Sequence, residues 1–308
     1  MTVYHTKDGW WEYYPETNFA GGPAGAAYAT TAPSGAAELT PCNAPFNEDQ
    51  TMPMIEYIQE AEEMAGQDIM TKTVFTKGAK AIPGKLVQYM QNSTWLDMAA
   101  GISPAETGGG AVPKTFLLHY DNLVNQYTAY GCYITVYTLS GSKGAEFLKE
   151  TIEFMPYDVQ DEDVVMDTTP FDLTTAPANF EDVGTTTITI DGDPIVDLES
   201  FTLTITNTYT EGPHAGSYFH KYPFLEKRDV ELEMEFLTFQ ADLDQLLAEG
   251  PSADPIDIVF TPMGKCNVSI TNLKLKPEST NINVIPEKGM KRWKTTFEIG
   301  GACAITTP

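Results

Sequence analysis

Val230-Glu231-Leu232-Glu233-Met234-Glu235-Phe236 alternates apolar and acidic residues without interruption. That two-residue period belongs to a β-strand with one face buried and the other wet. Beyond it, Asp242 and Gln245 have capping-box spacing and Gly250 supplies a left-handed stop, so a short helix is expected over 242–250. The runs Ile256–Phe260, Gly264–Ile270 and Lys294–Ile299 then read as three further strands.

The same five elements occur earlier in the same order. Lys85–Tyr89 reads as a strand, and Thr94–Gly101 as a short helix with Thr94 and Asp97 at capping spacing and Gly101 as its stop. Thr115–Tyr120, Gly131–Val136 and Lys149–Phe154 follow as strands. Cys132 and Cys266 fall on equivalent strands of the two copies. We read this as an internal duplication, because repeats of this length set the architecture.

The chain has 308 residues, 42% of them hydrophobic, enough for a sizeable core in one large domain or two ordinary ones. Its 43 acidic residues against 18 basic ones give a formal net charge of -25. Such an excess repels nucleic acid and anionic lipid instead of binding them. Cys42, Cys132, Cys266 and Cys303 lack a Cys-x-x-Cys pair and read as buried thiols. Met1 to His5 has neither a basic region nor an apolar run, so no secretory signal is expected, and no segment approaches membrane-spanning length.

Residues 1–50 are rich in Gly, Ala, Pro and Thr and read as an extended arm with little helix or sheet of its own. Trp10, Trp11, Tyr13 and Tyr14 make a dense aromatic knot in that arm, expected to lie across a neighbouring subunit or as a satellite cluster on its own chain. Apolar positions 54, 55, 58, 61 and 64 follow helical spacing and predict a helix after Pro53, with a loop or strand as the alternative. The first copy occupies 51–157, an acidic and Pro/Thr-rich linker 158–183, and the second copy 184–308. Two clean strands open that second half, Thr185–Ile190 before the turn Asp191-Gly192-Asp193-Pro194, and Phe201–Thr206 before Asn207. The fold class is mainly β.

No nucleophile motif, phosphate loop or metal-ligand cluster is legible, so no catalytic residue, metal site or cofactor is expected. Gly108-Gly109-Gly110 lacks the Gly-Lys-Ser/Thr of a phosphate loop, and His214 and His220 lack zinc spacing. The acids at 158–167 lack the mid-loop Gly and closing Glu of a calcium loop. The informative polar feature is Glu231, Glu233 and Glu235, which share one strand face and are expected to stand there without partners. They read either as a solvated outer face or as a surface that repels a polyanion.

Several passages together resemble the major tail tube proteins of long-tailed phages and tailed archaeal viruses. Glu16-Thr17-Asn18-Phe19-Ala20-Gly21-Gly22-Pro23 is similar to the Glu-Thr-x-x-Gly-x-x-Pro opening of that family. Leu198–Asn207 resembles the strand that begins its second half and ends in Asn, and the alternating strand 230–236, the short Leu-Asp helix and Thr296–Ile299 also look like it. The resemblance implies two duplicated tail-tube-type β-sandwich or rolled-sheet domains, each with a short helix. It implies a virion structural protein, assembled in the host cytoplasm and not an enzyme. Its partners would be itself, in homotrimeric pseudo-hexameric or homohexameric rings stacked into a tube, and the tail completion, tip and tape-measure proteins. Viral DNA would pass without specific binding, no membrane would be involved, and Glu231, Glu233 and Glu235 would line the lumen. The alternatives are a capsid-decorating or adhesion-type β-sandwich module and, more remotely, a hydrolase with an unrecognised site.

Overall fold

The computed structural model describes residues 10–23, 27–34, 38–45, 50–62, 73–101, 114–121, 126–145, 147–161, 175–180, 188–190, 193–194, 198–210, 223–237, 256–260, 268–276, 281–285, 290–299 and 305–306. In the first half the strands are β1 (Trp10–Pro15), β2 (Thr40–Pro41), β3 (Met54–Glu62), β4 (Thr73–Ile82), β5 (Gly84–Tyr89), β6 (Thr115–Asp121), β7 (Gln126–Ser142), β8 (Lys149–Met155) and β9 (Asp158–Asp161). One helix is described, α1 (Thr94–Ala100). In the second half they are β10 (Ile188–Ile190), β11 (Asp193–Pro194), β12 (Leu198–Thr210), β13 (Phe224–Phe236), β14 (Ile256–Phe260), β15 (Val268–Leu275), β16 (Asn281–Ile285), β17 (Met290–Ile299) and β18 (Ile305–Thr306). All described pairs are antiparallel, and β3 and β4 form a two-stranded sheet apart from the large one. The mainly β expectation holds.

One pairing order occurs twice. In the first half β1 pairs β6, β6 pairs β7, β7 pairs β8 and β9, and β8 pairs β5. In the second, β10 pairs β14, β14 pairs β15, β15 pairs β17 and β18, and β17 pairs β13. The strands β2 and β11 hang on β1 and β10 respectively. The halves join through β12, which lies between β13 and the C-terminal part of β7.

The alternation read from the sequence is what positions the core. On β13, Val230, Leu232, Met234 and Phe236 are buried while the glutamates between them are not. Rows of side chains cross the seam without a gap: Leu139, Leu203, Leu232 and Phe297 are directly opposed and fully buried. Helix α1 covers this apolar face with Trp95 and Leu96, and Trp95 packs against Phe116 at 5.1 Å. One contiguous core therefore runs through both halves.

Helix α1 stops as expected, with Gly101 in the left-handed region at φ 72. Its start differs by one residue: Ser93 is the cap position, its hydroxyl donates to Asp97, and the amide of Thr94 donates to the side chain of Asn92. The second-half helix expected over 242–250 lies outside the described residues, as do Gly108–Gly110, His5, His214, His220, Cys266 and Cys303.

Three expectations are corrected. The helix predicted after Pro53 is strand β3, since its backbone pairs from Met54 opposite Ile82 to Glu62 opposite Thr73. Nine residues satisfy both periods loosely, and the neighbouring β-branched strand decides between them. Residues 10–15 of the arm expected to have little sheet of its own are a strand of the main sheet, in register from Trp10 opposite Asp121 to Pro15 opposite Phe116. The range assigned to the linker is anchored at both ends. β9 pairs Tyr127–Tyr130 of β7, and the amide of Ala178 donates to Met90 O at 2.7 Å. A strand of alternating residues completing a sheet outweighs the acidic composition that suggested a linker.

Candidate functional site

Sheet register defines the polar surface that carries the predicted residues. Across β7, β12, β13 and β17 the directly opposed residues are Ser142, Ser200, Glu235 and Lys294, then Ser140, Thr202, Glu233 and Thr296, then Thr138, Thr204, Glu231 and Glu298. Opposed residues of a sheet share a face, and this face is the one opposite α1 and the core. It is a surface of hydroxyls interleaved with charges.

Glu231, Glu233 and Glu235 do share that face, as the spacing predicts, but they have partners. Lys276 Nζ stands 3.0 Å from Glu231 Oε1 and Lys294 Nζ 2.6 Å from Glu233 Oε1, while Ser200 Oγ donates to Glu235 Oε2 at 3.4 Å. The pair with Glu231 raises the pKa of Lys276, through its hydrogen bond first and its charge second. Glu231 and Glu233 remain 47% and 42% exposed, so water screens both pairs. Exposed pairs of this kind add little to stability. The expected cost of three unpartnered like charges is therefore absent, because the lysines come from neighbouring strands that local spacing does not reveal.

Among the described residues this face carries both signs, with Glu153, Asp229, Glu231, Glu233, Glu235 and Glu298 set among Lys85, Lys149, Lys227, Lys274, Lys276 and Lys294. Lys227 and Asp229 are themselves paired at 2.8 Å. A hydroxyl-rich face on which both signs are interleaved offers a polyanion less than a run of cations would.

The aromatic knot divides between environments. Trp11 and Tyr13 are buried in their own chain, with Trp11 4.7 Å from the ring of Tyr120 and Tyr13 4.8 Å from that of Trp95. Of the two placements expected for the knot, these two side chains take the one on their own chain, in its main core. Tyr14 is half-buried beside the smaller cluster of Phe19, Leu117 and Tyr130. The backbone of Trp10 pairs with Asp121; its side chain lies outside the described residues.

Two carboxyls with raised pKa values escaped the sequence reading, the buried Glu150 and the partly buried Glu16. Glu150 is fully buried and accepts hydrogen bonds from Asn43 at 3.2 Å, Gln88 at 3.1 Å and Tyr137 at 2.9 Å. Burial pushes its pKa up to about 7, against the pull of those three donors. The signal was present: Glu150 occupies the core parity of β8, in line with Ile152 and Phe154. Glu16 is likewise raised to about 7 by burial, with backbone amides of Gly22, Gly131 and Ala20 opposing the rise. His119 is buried with Nδ1 2.7 Å from Thr128 Oγ1, and desolvation lowers it to about 4, so it is neutral. The buried thiols expected at Cys42 and Cys132 are observed. No group of three metal-ligating side chains occurs among the described residues, and none of their helices is long and apolar enough to cross a membrane.

A family model described as phage tail tube protein matches residues 68–301, well over half of the 308. The chain belongs to the phage tail tube protein family. This family is structural and non-enzymatic, and its members are tail components of the virion that assemble into a tube with other tail proteins. The sequence resemblance is therefore correct for the family and for the absence of catalysis. No curated protein matches the chain. The Glu16–Pro23 passage lies before the matched range.

Proposed function

We propose that the two halves of this tail tube protein are duplicated domains and that three chains close a ring of six such domains. Rings stack into a tube, and the polar face of β5, β8, β7, β12, β13 and β17 lines its channel. The pairing order that occurs twice carries this reading, because two halves with one connectivity are interchangeable units of a ring. The seam of β12 on β7 supports it further: two like domains already share a sheet side by side. The channel conducts viral DNA past Glu231, Glu233 and Glu235, two of which hold Lys276 and Lys294 in ion pairs and so weaken their pull on phosphate.

The experiment combines imaging with DNA ejection. Purified protein is expected to form hollow rods in negative stain, built from rings of three chains by native mass. Replacing Glu231, Glu233 and Glu235 together by Gln frees Lys276 and Lys294 and turns the face cationic. Virions with this variant are expected to assemble but to eject DNA more slowly than wild type, most severely at low salt. Lys at the three positions slows ejection further. Equal ejection rates in low salt for all three proteins would exclude this face from the channel.

A further inference from the structure

We propose that residues 50–53 and β3 add as an antiparallel edge to β15 and β16 of a second copy, in the register that β12 uses on β7. The inference rests on the ring reading and names the contact that closes it. Within the chain, β12 covers the flank of β7 from Val136 opposite Thr206 to Ser142 opposite Ser200. Leu86 opposite Ile152 corresponds, through the repeated order, to Leu232 opposite Phe297. On that correspondence β15 and β16 together stand where β7 stands. Both pair with β17 on one side. Strand β14 covers the opposite flank of β15 as far as Leu273, and among the described residues no strand covers that flank of Lys274–Leu275 or of Asn281–Ile285.

The complementary edge is equally open. Thr51 exchanges both backbone hydrogen bonds with Lys85 at 2.8 Å, as Thr204 lies opposite Glu231 in the second half. Strand alternation then points the N–H and C=O of Met52 away from β5, toward the flank where β12 meets β7 in the other half. Sheet edges of this kind accept another strand.

A separate observation concerns side chains. Met54 is opposite Ile82 and is 59% exposed, the most exposed of the large hydrophobic residues described. The correspondence that sets Leu86 on Leu232 sets Ile82 on Arg228 and Met54 on Asn207. At the internal seam Asn207 is buried against Ala99 and Ile134, to whose carbonyls it donates at 3.0 and 3.2 Å. The exposed methionine therefore occupies the position that is covered where the two halves meet. At this position the seam within the chain is polar and permanent, whereas the seam between chains is apolar and forms on assembly.

The register places Thr51 of one chain opposite Lys276 of the next, because Thr204 is opposite Thr138, and Lys276, bonded to Thr296, stands where Thr138 stands. The full chain carrying Thr51→Cys and Lys276→Cys is assembled and oxidised, beside each single variant. Disulfide-linked species of two and three chains are expected from the double variant only, since opposed Cα atoms in a sheet lie within disulfide range. Met54→Asp, checked for native fold by circular dichroism, is expected to raise the concentration needed for assembly by about tenfold or more. Rings that form without the crosslink, or at the wild-type concentration with Met54→Asp, overturn the edge pairing and leave the tube reading intact. Wild-type protein that forms no rings or tubes at any concentration overturns both.

Discussion

Asn207 and Arg228 stand opposite each other on β12 and β13 and together clasp the C-terminal end of α1. Arg228 Nε donates to Asn207 Oδ1 at 2.8 Å, and its Nη1 donates to the carbonyl of Ala100. Asn207 Nδ2 donates to Ala99 O and Ile134 O. A helix end exposes carbonyls that need donors and favours a cation nearby. The second half meets that need of the first, which fixes the angle between hairpin and helix.

Asn207→Ala is expected to destabilise the chain by about 1–3 kcal/mol, since buried carbonyls and the guanidinium lose a partner at once. Chemical denaturation measures the loss. Hydrogen exchange should rise at the end of α1 and along Asn207–Thr210 before it rises in β6. Uniform acceleration over the whole sheet would mean that the clasp is not a local joint.

The turn after β1 yields a prediction about backbone geometry. Glu16 accepts hydrogen bonds from the amides of Ala20 at 3.2 Å, Gly22 at 3.1 Å and Gly131 at 3.1 Å. Gly22 has φ 59, and a Cβ there would lie 2.0 Å from the carbonyl oxygen of Thr31. Backbone cannot yield as a side chain can, so Gly22→Ala should cost more than about 2 kcal/mol. Gly144→Ala is the control: φ is 92 but nothing lies within 4 Å, so only the conformational cost of about 1 kcal/mol applies. Equal losses of Tm for the two variants would show that the Thr31 contact is relieved by a shift of the turn.

The strands with strict alternation were legible because burial on one face writes its period into the sequence. β13 is placed as read, and Ile188–Ile190 lie within the strand expected over 185–190. Met54–Glu62 was not, since its apolar spacing fits two periods and the deciding partner is a strand elsewhere in the chain. The glutamate face was legible as a face but not as an electrostatic environment. Lys276 and Lys294 reach it from other strands, and no local pattern in 230–236 reports that. Trp11 and Tyr13 looked like interface aromatics because composition in 1–50 hides the pairing of β1 with β6.

Glu150 supplies a prediction with a definite sign. Its folded pKa of about 7 lies above the ordinary 4.5, so between those values the folded chain keeps a proton that the unfolded chain has released. Stability therefore falls as pH rises through this window. The cost is absent below about pH 4.5, where both states are protonated, and fully present above about pH 7. Its ceiling, from the size of the shift, is on the order of 3 kcal/mol. In Glu150→Gln the amide oxygen can accept from Asn43 and Gln88 while the amide nitrogen donates to Tyr137, so the buried network stays satisfied. Denaturation free energies of wild type and variant should coincide near pH 4 and separate toward pH 8, with the variant the more stable. Part of the wild-type slope will persist in the variant, because Glu16 is raised to about 7 as well. Parallel curves from pH 4 to pH 8 would mean that Glu150 is already ionised in the folded chain at acid pH, held so by its three donors.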